Sequence, residues 1–436
     1  MRILNKFHRL KLFLLTVFLS ILLAACSSTK PYELELMPAP DIFSESSVQP
    51  FTQADFNHAV PYEGMLYATD RQPAPQNSPK EEYYENHRGH MLRLGVGTIE
   101  LDKGQYTWNE IKEISTQKNR KQKYPLRVSG IKEFGVLDSS RGKLIKNPGA
   151  MNLVSANKAF ASAINRKLST SKVKDIYIYV HGYKIVFVNP LLIATELWHY
   201  LDYQGVFIAY SWPATPNTLA YARDLETAAY SSRNLRLLIE YLASSTKVHR
   251  IHVIAHSAGT RVATEALAQL ALISSANRSK EKYRIGKVIL IGSDMDRDIF
   301  SAYVEDGLLQ IPESLTLYLS ESDRALGLSR FLFTRQRVGQ VFSPGQIPAE
   351  SIEFLRKNPR LEVIDVTGAE NYDAERGHDY FRRSPWVSSD VLATLKYRLT
   401  PKNRGLIWDD ALAVWKFPND YIDQLARKLS GRVERD

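Results

Sequence analysis

The sequence predicts an α/β protein, a mainly parallel, twisted sheet with helices on both faces. Two observations carry this. From Val173 onward, apolar runs alternate with helical patterns, the order that builds strand–helix–strand crossovers. Those runs are nearly continuous, as in strands buried on both faces. With 436 residues and 44% hydrophobic side chains, the chain can bury a large core, and its composition is neither that of a disordered protein nor of a polytopic membrane protein. No internal repeat is present.

At the start of the chain, Arg2, Lys6, Arg9 and Lys11 accompany an apolar stretch from Leu12 to Leu23 that ends Leu23-Ala24-Ala25-Cys26. A basic n-region followed by a hydrophobic h-region marks a secretory peptide, and the small residues before Cys26 suit a peptidase site. Residues 1–25 are therefore expected to be a lipoprotein signal peptide and Cys26 the lipidated residue. The alternative is an uncleaved anchor, although a span needs ~20 apolar residues. Cys26 is the only cysteine, so no internal disulfide can form. Acyl chains contribute about 0.8 kcal/mol per buried CH₂, enough for several chains to hold a protein on a membrane. Ser27 rather than Asp follows the cysteine, which by resemblance to Gram-negative lipoproteins points to the outer membrane of the cell envelope, facing the periplasm. Loss of the four basic residues lowers the net charge from +10 to +6. That surplus reads as a solvated surface, and no Lys/Arg run interleaved with aromatics points to nucleic acid.

Residues 26–58 hold Pro31, Pro38, Pro40 and Pro50 without a sustained period and are expected to be a tether. The main domain is expected over 59–400. Tyr62–Arg71, Met91–Leu101 and Tyr124–Leu137 alternate like strands, with charged, exposed stretches at Lys80–His90 and Lys112–Lys123 between them. They form the early, partly antiparallel part of the sheet. The later strands fall at Ile176–Val180, Val206–Tyr210, Ile251–Ala255, Val288–Ile291, Leu315–Leu319 and Leu361–Val366. Leu225, Ala228, Ala229, Leu235, Leu238, Ile239 and Leu242 mark one connecting helix. Residues 401–436 are expected to be a helical extension.

The chemistry concentrates at residues 250–259, Arg-Ile-His-Val-Ile-Ala-His-Ser-Ala-Gly, where a buried strand breaks at Ser257 and runs into a helix marked by Val262, Ala263, Ala266, Leu267 and Leu270. This is the strand–turn–helix context of a nucleophile elbow, with Ala255 where the usual G-x-S-x-G has its first glycine. A serine hydroxyl near neutral pH needs a histidine to take its proton and an acid to orient that histidine. The chain order serine, acid, histidine leaves His378 as the one downstream histidine. Asp323, just after the strand Leu315–Leu319, is the expected acid. Asp294 and Asp296, after Val288–Ile291, are the alternatives, with helix capping as their other reading. An acyl-transfer site also needs two N–H donors for the developing oxyanion. Ala258 supplies one, and Tyr183, after the turn allowed by Gly182, is expected to supply the second. His181 and His256 are expected to be supporting residues.

Tyr67-Ala68-Thr69-Asp70-Arg71, Val180-His181-Gly182-Tyr183, Ser211-Trp212-Pro213, Ala255-His256-Ser257-Ala258-Gly259, Ser293-Asp294-Met295-Asp296-Arg297-Asp298 and Asp323-Arg324-Ala325-Leu326 together resemble bacterial alpha/beta hydrolases of uncharacterised function. The resemblance covers about residues 60–385. It implies the alpha/beta-hydrolase fold, a Ser-Asp-His triad and no cofactor or metal, and it supplies no substrate. The chain departs from it at Lys184-Ile185-Val186-Phe187-Val188, where small polar residues are common. This apolar segment either shields the oxyanion loop or lines an acyl pocket. Residues 324–360, with Phe331, Phe333, Phe342 and Phe354, form either a lid or flap, or a surface excursion that packs its own aromatics.

The sequence thus predicts a lipid-anchored serine hydrolase acting on an acyl-ester substrate, with the membrane as its partner through Cys26. An acyltransferase using the same triad and a non-catalytic binding or scaffold lipoprotein are the competing readings.

Overall fold

The computed structural model describes residues 32–44, 46, 48–51, 64–102, 106–142, 153–215, 221–277, 280–320, 338, 349–369 and 379–433. Among the described residues, twelve strands form one sheet. They are β1 (Glu33–Glu35), β2 (Met65–Pro73), β3 (Tyr84–Leu101), β4 (Pro125–Val136), β5 (Asp175–Val180) and β6 (Val206–Ser211), followed by β7 (Arg250–His256), β8 (Ile285–Ile291), β9 (Ser314–Leu319), β10 (Leu361–Asp365), β11 (Ile407–Asp409) and β12 (Val414–Lys416). Their order across the sheet is β1-β4-β3-β2-β6-β5-β7-β8-β9-β10-β12-β11. Pairing is parallel from β2 through β6, β5, β7, β8, β9 and β10 to β12. The outer pairs are antiparallel at both ends.

The α/β expectation holds, and so does the antiparallel character of the early strands. Alternation explains why both faces are covered. In β5, Ile176, Ile178 and Val180 pack under the helices Leu153–Thr170, Tyr221–Ser245 and Gly259–Asn277. Tyr177 and Tyr179 point the other way, into a second apolar layer with the helices Asn189–Tyr200, Pro385–Lys396 and Tyr421–Val433.

Three expectations need correction. The segment expected to be a tether is part of the fold over 33–44. β1 pairs with β4, and Leu36, Met37, Ile42 and Phe43 are buried. Arg120 donates to the carbonyls of Leu36 and Met37 at 2.9 and 2.8 Å, and Met37 N–H donates to Glu196 Oε1 at 2.8 Å. Residues this firmly hydrogen-bonded cannot act as a free linker. The charged stretch at Lys80–His90 is strand from Tyr84 onward, and within Lys112–Lys123 the helix Trp108–Thr116 extends to 116, closed at its start by a Thr107/Glu110 capping box. Finally, the C-terminal extension is not purely helical, because β12 joins β10 and β11 closes that edge before the helix Tyr421–Val433.

The core also holds a titratable group that ties stability to pH. His199 is fully buried, and burial, followed by the nearby charges of Arg120 and Lys396, pulls its pKa down to about 3. The unfolded chain takes up a proton near pH 6.5 that the folded chain refuses, so this stability is full above pH 6.5 and falls as the pH drops toward 3. The difference in unfolding free energy between the native chain and His199→Gln should narrow by roughly 2 kcal/mol between pH 7.5 and 5.0. Urea denaturation at the two pH values measures it, and a constant difference would show that His199 does not titrate this way.

Candidate active site

The parallel strands place their C-terminal ends along one edge, where an open α/β sheet presents its site. Ser257 follows β7 there with φ +53°, the left-handed region that a non-glycine residue enters only when its surroundings hold it. Those restraints are visible. Ser257 N–H donates to the Ile291 carbonyl at the end of β8 at 2.9 Å. Its own carbonyl accepts from Thr260 N–H at 2.9 Å and from Thr260 Oγ1 at 2.6 Å, and Ser293 Oγ donates to Thr260 Oγ1 at 3.0 Å. The helix Gly259–Asn277 starts at once, so the expected strand–turn–helix elbow is present. Among the described residues, nothing is hydrogen-bonded to Ser257 Oγ.

Two glycines make this packing possible. A Cβ on Gly259 would stand 2.2 Å from the His181 carbonyl oxygen and 2.6 Å from that of Val180, so the elbow helix rests directly on the end of β5. A Cβ on Gly182 would stand 2.8 Å from Ser257 Cβ and 3.2 Å from Oγ. The His-Gly-Tyr turn therefore lies against the serine hydroxyl. Ala255, in place of the first glycine of the usual motif, is fully buried in the core.

The motifs that are far apart in sequence meet behind this turn. The His181 and Trp212 rings stack at 5.4 Å and 8°, and Trp212 Nε1–H donates to the His181 carbonyl at 2.7 Å. His181 Nδ1 lies 2.6 Å from the Gly182 carbonyl and Nε2 lies 3.0 Å from that of Trp212. Burial, then the charge of Arg71, holds His181 well below the ordinary histidine range, so it is neutral and fits a supporting role. Thr69 Oγ1 donates to the Ser211 carbonyl at 2.6 Å, joining β2 to the end of β6. Phe187 and Val188 are buried, Phe187 against Tyr84 at 4.5 Å and Tyr67 at 5.1 Å. The apolar segment after His-Gly-Tyr thus anchors the loop in the core.

The two alternative acids differ. Asp296 Oδ1 accepts from the N–H groups of Asp298 and Ile299 at 3.0 and 3.2 Å, the N-cap of the helix Arg297–Glu305. Asp294 is buried and pairs with Arg261 Nε at 3.4 Å, one helical turn beyond Ser257. Burial first, then the charges of Asp294 and Asp224, raise the pKa of the Tyr183 phenol. Asp323, His378 and Cys26 lie outside the described residues, as does most of 324–360. Of that excursion, Val338 is buried and donates its N–H to the Met295 carbonyl at 2.9 Å, while the helix Ala349–Lys357 buries no residue.

Several residues at this edge had no role assigned from sequence. Tyr380, two positions after His378, accepts from Gly292 N–H at 2.6 Å and donates to the Tyr318 carbonyl at 2.9 Å. It joins the ends of β8 and β9 beside the strand that holds Ser257. Arg382 donates to Glu196 through Nε and Nη2 at 2.8 and 2.9 Å, a buried bidentate pair. Their signal in the sequence is only their nearness to His378. A groove of about 690 Å³ lined by Arg250, Arg284, Glu313 and Arg360 lies at the opposite ends of the strands, away from Ser257. Among the described residues, no cluster of three or more His, Cys, Asp or Glu is placed to hold a metal ion.

A family model described as an alpha/beta hydrolase of unknown function (DUF900) matches residues 156–395, more than half of the chain. Among solved structures, the chain is similar to the tributyrin phosphonate-inhibited esterase B from Lactobacillus rhamnosis at 11% identity and a TM-score of 0.27, over 61% of this chain and 81% of that one. No curated protein matches.

Proposed function

This chain belongs to the alpha/beta hydrolase family of unknown function, and on that premise we propose that it is a serine hydrolase cleaving a carboxylic ester through an acyl-enzyme. The observation that carries the proposal is Ser257 held at φ +53° at the strand end with Gly182 packed against its hydroxyl. A merely structural turn would not need a strained serine under a glycine turn. In the proposed reaction Ser257 Oγ attacks the acyl carbonyl while His378 takes its proton. Asp323 orients the imidazole, the N–H groups of Ala258 and Tyr183 receive the oxyanion, and His378 returns the proton to the leaving alcohol. Water, deprotonated by the same histidine, then attacks the acyl carbon, and the histidine returns the proton to Ser257 Oγ as the C–O bond to serine breaks and the acid leaves. Support for the histidine position comes from topology. β10 lies two strands beyond β8 and is followed by the His378 segment, and Tyr380 returns to the end of β8.

The experiment is hydrolysis of p-nitrophenyl esters of increasing acyl length by the domain lacking residues 1–25, with and without an acceptor alcohol. Ser257-dependent release of free acid supports the hydrolase. Predominant transfer to the alcohol makes the protein an acyltransferase, and a folded protein inert to all esters favours a binding role.

The location is proposed from the N-terminal sequence. Cys26 carries lipid and tethers the domain to the envelope membrane, in the outer membrane on the periplasmic side. Among the described residues, no helix is long and apolar enough to cross a membrane. Palmitate labelling in cells should vanish in Cys26→Ala, and label that persists on the variant would refute the anchor.

A further inference from the structure

We propose that Arg71 is a positioning residue for the oxyanion loop, its guanidinium fixing residues 181–187 so that the Tyr183 N–H faces the acyl oxygen; this rests on the serine-hydrolase reading above. Arg71 ends the Tyr67–Arg71 motif on β2 and is fully buried. A buried charge is costly, and an apolar side chain of similar size generally stabilises a core at least as well. Among the described residues, Arg71 also has no carboxylate as a hydrogen-bond partner. Asp70 points to the opposite face of β2, toward Tyr210 Oη and Asn234 Nδ2. Burial pulls the Arg71 pKa down to about 9, so the guanidinium is still charged at neutral pH.

Its partners all belong to one construction. Nη2 donates to the Ile185 carbonyl at 2.8 Å and lies 3.5 Å from His181 Nε2. Nε donates to Ser211 Oγ at 3.0 Å, and Ser211 Oγ donates on to the Phe187 carbonyl at 3.2 Å. Nη1 is held by Asn86 Oδ1. One planar fork thus grips the loop at Ile185 directly and at Phe187 through Ser211. Between the turn at Gly182 and that grip stands Lys184 with φ +63°, a strained conformation that needs its neighbours fixed on both sides. Lysine has no such fork, so Arg71→Lys keeps the charge and loses the geometry.

The test compares native chain, Arg71→Lys and Ser211→Ala as full mature domains, measuring p-nitrophenyl butyrate kinetics, inhibition by a trifluoromethyl ketone and the thermal midpoint. The ketone forms a tetrahedral oxyanion on serine, so its Ki reads the donors directly, whereas KM does not. Arg71→Lys should lower kcat/KM by about 100-fold, with KM nearly unchanged and Ki raised by the same factor as kcat/KM falls. Ser211→Ala should shift Ki and kcat/KM together by about tenfold, and it keeps the proposal testable if Arg71→Lys does not fold. The proposal is overturned if a folded variant keeps native Ki and kcat/KM, or if activity falls while Ki does not. A native chain without Ser257-dependent turnover would instead overturn the hydrolase reading, and this proposal with it.

Discussion

Asp323→Asn should lower kcat by roughly 10⁴-fold while leaving the fold intact. An asparagine of the same shape can present its amide to the histidine, which favours the tautomer unable to accept the serine proton. The alternative acid gives the contrast. Asp294 already pairs with Arg261 at 3.4 Å, and Asp294→Asn should weaken that ion pair. Asp294→Asn is therefore expected to have a far smaller effect on kcat. Steady-state kinetics of the two variants at saturating ester decide the matter. A severe Asp294→Asn with a mild Asp323→Asn would transfer the role to Asp294, at the end of β8.

Gly182→Ala should also silence the site, for a steric reason. The added methyl would meet Ser257 Cβ at 2.8 Å, closer than such atoms approach, and neither partner is the free end of a long side chain. The turn or the serine must shift by several tenths of an ångström. Misplacements of about 1 Å at reacting atoms cost on the order of 100-fold in rate, so a loss of that order in kcat is expected with stability lowered by about 1–3 kcal/mol. Gly259→Ala should separate from it. Its methyl would press on two backbone carbonyls, at 2.2 and 2.6 Å, so its main effect should be a lower thermal midpoint. Equal kcat in the native chain and a folded Gly182→Ala would show that the turn does not bear on the chemistry.

The central sheet and the elbow were legible in the sequence because their signals are local. Strands buried on both faces read as unbroken apolar runs, so Ile176–Val180 and Leu315–Leu319 match β5 and β9 to within one residue at the start. The helix after Ser257 announces itself by period. The N-terminal segment failed for the opposite reason. A three-residue strand and a four-residue helix, Glu33–Glu35 and Asp41–Ser44, are too short to show a period. What fixes them is distant: Arg120, Glu196 and, through Ser389 Oγ to Ile42 N–H at 3.1 Å, the helix Pro385–Lys396. β11 and β12, three residues each, were missed in the same way. Asp296 was legible as a cap because an aspartate before a helical pattern is a local signal. Arg71 was legible only as part of a motif, since nothing local to a guanidinium reveals that two neighbouring strands and a loop close around it.

The measurement that bears most directly on the central claim is labelling of the mature domain by a fluorophosphonate probe, native chain against Ser257→Ala. The probe phosphonylates only an activated serine, and its phosphoryl oxygen occupies the place of the oxyanion. The account predicts rapid stoichiometric labelling of the native domain and none of the folded Ser257→Ala. Equal labelling of both, or no labelling of a folded native domain, would contradict it.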